Sequence, residues 1–221
     1  MFPYTHIVWD FNGTLYDDLD ATIRSVNRLL SAHGLPELPS RDAYRKVFGF
    51  PIEAYYRRIG FDFSVTSYEK LAVEWVDYYN EESKSAKINP DALTAWRFFD
   101  SFGCRQIILS ATQTQMLRRQ VASLGVSDLF SEVLGKDTVF ATGKEEIAHA
   151  FRERNPDARI LVLGDTDHDA AVADRMGADC VLLSCGHQGR VALEKTRALA
   201  VADSLAELAE ISFWQKYRKP V

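Results

Sequence analysis

Six short apolar runs punctuate the chain: HIVW (6–9), RQIILS (105–110), SEVLG (131–135), RILVLG (159–164), CVLLS (180–184) and ALAVA (198–202). They are nearly continuous rather than alternating in polarity, the pattern of parallel strands covered on both faces. Between most of them lie stretches with helical spacing of apolar positions. TQTQMLRRQVASLG (112–125) and DHDAAVADRMG (167–177) each end on glycine, a helix stop, and KEEIAHAFRERN (144–155) places apolar residues at 147, 148, 150 and 151. Strand–helix alternation of this kind implies right-handed crossovers. The fold class it predicts is α/β, a doubly wound parallel sheet.

The rhythm breaks once. Roughly ninety residues separate the first and second strands, and their pattern is helical throughout. Helices are expected over 17–34, 40–49, 51–60 and 64–86, with Pro51 in the first turn of the third. The return segment KINPDALTAWRFFDSFG carries Pro90 and a further helix. The expected organisation is therefore an α/β core of residues 1–15 and 88–221, with an all-helical subdomain, 16–87, inserted after the first strand. Hinges are expected near Leu15–Asp17 and Ala86–Pro90.

Composition narrows the function. There are 26 Lys and Arg against 31 Asp and Glu, a net charge of −5. That balance gives no basic face for nucleic acid. An anionic ligand must be held by local groups or a metal. No apolar run reaches membrane-spanning length, and the N-terminus lacks a signal-peptide pattern. Cys104, Cys180 and Cys185 are an odd set without ligand spacing and are expected to be reduced packing residues, which suits a cytoplasmic location. Neither nucleic acid nor a membrane is an expected partner, and the chain is expected to be a monomer or homodimer.

In open parallel sheets, ligands bind beyond the carboxyl ends of the strands. There the sequence delivers Asp10 and the turn through Asn12 and Thr14; Ser110, Ala111 and Thr112; Lys144 opening a helix; Gly164, Asp165 and Asp169; and Ser184 to His187. Each alone also suits a helix cap or a solvated charge. Several such residues in order at successive strand ends point to a phosphoryl site. His168 reads as an exposed helix-start residue. His187 suits a substrate contact and a plain loop position equally.

This set resembles the haloacid dehalogenase superfamily, in its phosphatase branch with a helical cap, phosphoglycolate phosphatase-like. The resemblance rests on WDFNGTL, IILSAT, TGKEE and VLGDTDHDAAVA, in that order and around an inserted helical segment, and covers nearly the whole chain. It implies a Rossmann-like core and a Mg2+-dependent phosphohydrolase. Asp10 is the implied nucleophile that forms an aspartyl phosphate, and Lys144 neutralises it and the transferring group. Ser110 and the Ala111 amide hold phosphoryl oxygens. The implied metal ligands are Asp10, the Asn12 carbonyl and Asp165, with Asp169 ordering Lys144 or a metal-bound water. Magnesium takes oxygen donors of this kind.

One residue departs from the family pattern. Asn12 stands where an acid would protonate the leaving group and later activate water, help that contributes about 10²–10⁴-fold. An amide does neither. The sequence thus predicts slow turnover of alkyl phosphates and a longer-lived aspartyl phosphate. Two alternatives stay open: a catalytically weak binding or regulatory protein, and a phosphotransferase or phosphomutase. In the helical insert, RKVFGFPIEAYYRR offers Arg45, Lys46, Arg57 and Arg58 among aromatics, with the Gly49 turn facing the site.

Overall fold

The computed structural model describes residues 2–137 and 144–217. The Thr142–Gly143 part of the TGKEE motif lies outside the described residues; its lysine lies within them. In chain order the elements are β1 (His6–Trp9), β2 (Tyr16–Asp17), α1 (Leu19–Ala32), α2 (Arg41–Val47), α3 (Ile52–Arg58), α4 (Tyr68–Glu82), β3 (Lys87–Ile88) and α5 (Ala92–Asp100). There follow β4 (Arg105–Gln113), α6 (Thr114–Ser123), β5 (Glu132–Lys136), α7 (Lys144–Arg154), β6 (Ile160–Gly164), α8 (Asp167–Met176) and β7 (Asp179–Leu183). The chain closes with α9 (Arg190–Leu193), β8 (Ala200–Ala202), α10 (Leu205–Leu208) and α11 (Ile211–Gln215).

All six apolar runs form strands, and they join in one sheet of order β5-β4-β1-β6-β7-β8. Every pairing in it is parallel. Two apolar clusters explain why the runs are continuous rather than alternating. Ile7, Trp9, Ile108 and Leu163 face one layer, while Val8, Ile107, Leu109 and Val162 face the other. The chain runs outward from β1 through β4 to β5, then returns to β6 on the other side of β1. Strand order therefore reverses between β1 and β6, where a ligand crevice opens in this topology.

Helices α1 to α4 hold a third apolar cluster of their own, with Leu29, Leu30, Tyr44, Tyr55, Tyr56 and Leu71 inside it. The chain enters and leaves this segment through an antiparallel ribbon, Tyr16 opposite Ile88 and Asp17 opposite Lys87. Strands of two residues are too short to carry a periodicity signal, so this ribbon was not legible in the sequence.

Two expectations need correction. The second strand does not stop at Ser110: β4 runs on to Gln113, with an irregularity between Leu109 and Gln113. The α6 N-terminus is accordingly set at Gln113, whose side chain accepts from Met116 N. The expected 64–86 helix is an α-helix only over Tyr68–Glu82, followed by a 3₁₀ turn. Ser67 caps it by accepting from Lys70 N, so the helix starts later than the expected position 64.

Candidate active site

Asp10 is the first residue beyond β1, and its backbone N–H donates to Leu163 O at 2.8 Å, which binds the strand end to β6. Asp165 follows β6 directly, and Asp169 stands one turn into α8. Carboxylate oxygens of Asp10, Asp165 and Asp169 all lie within 4.8 Å of one another, and all three residues are buried. Lys144, at the start of α7, reaches into this group. Its Nζ lies 2.5 Å from both Asp10 Oδ1 and Asp169 Oδ1. The ammonium is 3% exposed, so these ion pairs are shielded from water.

The second oxygen of Asp169 is also engaged. It accepts from the N–H groups of Asp165 and Thr166 and from the Thr166 hydroxyl. Asp169 thus holds the turn after β6 and orders Lys144. Asp165 accepts from the Thr14 hydroxyl at 3.2 Å and from the His187 N–H at 2.6 Å. It fits only because glycines surround it. A Cβ on Gly186 would lie 2.2 Å from Asp165 Oδ2, and one on Gly13 would lie 2.3 Å from it. Gly13 also has φ +74°, a conformation glycine adopts without strain.

Three carboxylates face one ammonium here. Burial raises the Asp10 carboxyl well above its ordinary range, Lys144 opposes this, and Asp169 and Asp165 add to it. Burial likewise pushes Asp165 up to about 6. Burial also opposes charge on Lys144, but Asp10 and Asp169 outweigh it and raise its pKa. An oxygen-only, buried set with excess negative charge suits a hard divalent cation such as magnesium.

Asn12 is held on every side. Its Nδ2 donates to Asp18 Oδ2 at 2.9 Å and to the Tyr79 hydroxyl at 2.8 Å, while its Oδ1 accepts from Thr112 Oγ1 at 2.9 Å. Thr112 in turn accepts from Ser110 Oγ at 3.1 Å. Asp18 is 1% exposed and also takes the Gly13 N–H and the Tyr79 hydroxyl. Its other neighbour is His187, Nε2 3.4 Å from Asp18 Oδ1. Burial works against charge on that imidazole, but Asp18 and Asp165 prevail and push it up to about 9. Burial also opposes charge on Asp18; His187, Tyr79 and Asn12 outweigh it and hold the carboxyl below its ordinary value.

His187 is therefore no plain loop residue. It is buried and also hydrogen-bonds the Tyr44 hydroxyl of α2 at 3.0 Å. His168, expected to be exposed, is half-buried, with its ring 4.9 Å from that of Phe50. Arg45 reaches the same loop, donating to Gly186 O and Cys185 O. Two other expected cations serve the helical segment: Arg58 donates to Val47 O, and Arg57 lies over the Phe63 ring. Asp18, Tyr79 and Tyr44 were not singled out from the sequence as site residues; a polar residue in a helix looks solvated until its distant partner is known.

Between the helical segment and the sheet lies a cavity of about 330 Å³, lined by Phe50, Ile52, Tyr68, Lys136, Lys144 and His168, with Ala111 beside them. A larger groove of about 490 Å³, along β5 and α6, is lined by none of the carboxylate-cluster residues.

Known proteins carry this architecture. The model of the family described as haloacid dehalogenase-like hydrolase matches residues 7–183. A tyrosine-protein kinase PtkA from Mycobacterium tuberculosis is 26% identical over 216 residues, 92% of this chain and 71% of the relative. A phosphoglycolate phosphatase from Rhodobacter capsulatus is 25% identical over 190 residues, 82% of this chain and 85% of the relative. Among solved structures, a haloacid dehalogenase-like hydrolase from Streptococcus pneumoniae superposes with a TM-score of 0.80 at 17% identity, over 97% of this chain and all of that one. With the fold, the carboxylate cluster and the family match in agreement, the chain belongs to the haloacid dehalogenase-like hydrolases.

Proposed function

We propose that the protein is a magnesium-dependent phosphohydrolase acting on a small phosphate monoester through an aspartyl phosphate. The observation that carries this is Lys144 Nζ, 2.5 Å from both Asp10 and Asp169 inside a buried three-carboxylate cluster. Asp10 attacks phosphorus, which splits one hard displacement into two easier ones. Lys144 holds the Asp10 carboxylate in place and offsets negative charge on the transferring group. Ser110 and the Ala111 amide position phosphoryl oxygens beside it. Asp10, Asp165 and the Asn12 carbonyl would hold magnesium, which when bound offsets repulsion between the carboxylates and the ester. Asp169 keeps Lys144 aimed at Asp10. Residues 16–87 act as a cap that limits water and selects the ester. A cytoplasmic location and a monomeric or dimeric state accompany this reading.

A phosphotransferase is the second reading. One observation favours it: both oxygen and nitrogen of the Asn12 amide are committed within the protein. That leaves no carboxylate there to activate water, so the aspartyl phosphate persists and an acceptor can compete for it. The tyrosine-kinase name of some relatives accords with transfer.

Steady-state release of phosphate from p-nitrophenyl phosphate, with magnesium and with a chelator, tests the proposal. Turnover that requires magnesium and is lost in Asp10→Asn is expected. Turnover that survives either removal would refute it. Phosphate recovered on an added alcohol rather than in solution would favour the transferase.

A further inference from the structure

The cavity and the nucleophile share one residue: Lys144 lines the cavity and binds Asp10. The leaving group of a phosphoryl group at Asp10 therefore has this cavity within reach. The remaining wall is mostly ring and hydrocarbon. Phe50, Ile52 and Tyr68 come from the helical segment, and the His168 ring meets Phe50 from the sheet side at 4.9 Å and 32°. Glu53 and Lys136 also line the cavity, one acid and one base, and Lys144 is already ion-paired with Asp10 and Asp169, so the wall carries no excess positive charge to select a second anionic group. Its volume, about 330 Å³, lies at the small end of ligand pockets.

The leaving group's proton is the second constraint. Asn12 spends its Nδ2 hydrogens on Asp18 and Tyr79 and its Oδ1 on Thr112, so it offers none to a departing oxygen. A leaving group that departs as a stable anion needs none. Phenols ionise near pH 10, whereas water-like hydroxyls do so near about pH 16.

On both grounds we infer that the substrate is an aryl phosphate monoester with a single ring, an inference that rests on the phosphohydrolase proposed above. Asp10 Oδ attacks phosphorus as the bond from phosphorus to the phenolic oxygen breaks, and the electron pair leaves on that oxygen and spreads into the ring. The phenolate takes its proton from solvent after release. Water then attacks phosphorus, the bond to Asp10 breaks, the carboxylate is regenerated, and the water's proton goes to solvent with inorganic phosphate. The ring of the ester packs between Phe50 and Tyr68. Such ring contacts favour an aromatic ligand over an aliphatic one.

The test is kcat/KM of the full chain with magnesium for p-nitrophenyl phosphate, phenyl phosphate, acetyl phosphate, glycerol 3-phosphate and 2-phosphoglycolate. The two aryl esters should exceed the two alkyl esters by at least about 10²-fold. Phe50→Ala should lower the preference for phenyl over acetyl phosphate by about three- to tenfold. Alkyl esters within tenfold of the aryl ones, or a Phe50→Ala preference equal to that of the parent, would overturn the substrate class and leave the phosphohydrolase standing. No phosphate release and no phosphorylated protein from any ester would overturn both.

Discussion

The Asn12 amide and the Asp18 carboxylate lie 2.9 Å apart where Asp18 has almost no contact with water. An aspartate at 12 would place two carboxylates at that distance, and one would have to hold a proton or move. Asn12→Asp alone should therefore lower the melting temperature and raise hydrolysis of an alkyl phosphate by less than about tenfold. The pair Asn12→Asp with Asp18→Asn keeps one acid and one amide in contact but transposes them. It should raise alkyl-ester turnover over Asp18→Asn alone by about 10²–10⁴-fold, the usual worth of a general acid–base group. Rates and melting curves of the two single variants and the double variant check this. A single Asn12→Asp as fast and as stable as the double would show that the Asp18 charge does not matter. At this scale the sequence was informative where a residue directly follows a recognisable strand, as Asp10 and Asp165 do. It was silent on Asp18 and Tyr79, which are 61 residues apart and meet only in the fold.

The elements show the same division. Six strands were legible because buried parallel strands are continuous apolar runs, whereas the β2–β3 ribbon has only two residues per strand. The loop after β7 was also opaque, since its value lies in what its glycine leaves open. Gly186 stands where a methyl group would meet Asp165 Oδ2 at 2.2 Å, and the obstructing atoms belong to a buried side chain held by His187 N and Thr14. Gly186→Ala must push Asp165 aside or shift the loop that Arg45 grips. The expected cost is about 1–3 kcal/mol, typical of overpacking. In a chain of 221 residues that is a fall in melting temperature of roughly 2–12 °C. The magnesium concentration needed for half-maximal activity should rise as well. Gly189→Ala is the control, because the nearest atom its new methyl group would meet, Arg45 Cδ, would be at an ordinary 3.9 Å. If both variants melt and bind magnesium alike, the close approach at Gly186 has no consequence.

Across the whole molecule, each of the three apolar clusters encloses a group that stays neutral by burial. Cys104 lies in one sheet layer, Cys180 in the other, and Tyr55 and Tyr56 in the helical segment. Burial pushes the Cys104 thiol from 9.0 up to about 11. It raises Cys180 well above 9.0 and both tyrosines above 10.0. As pH rises past 9, the unfolded chain releases these protons before the folded chain does. The unfolded state then binds fewer protons, so stability falls with pH. The loss from Cys104 is absent below pH 9, grows between 9 and about 11, and is on the order of 2 kcal/mol when complete. The tyrosines extend the decline from pH 10 upward. Denaturant unfolding at intervals from pH 7.5 to 11 measures it, and Cys104→Ala should flatten the part of the curve between 9 and 11. Because the groups are spread over all three clusters, the decline should appear as one cooperative transition by both tryptophan fluorescence and helical circular dichroism. Transitions that separate at high pH would instead show that the helical segment, with its two buried tyrosines, unfolds apart from the sheet.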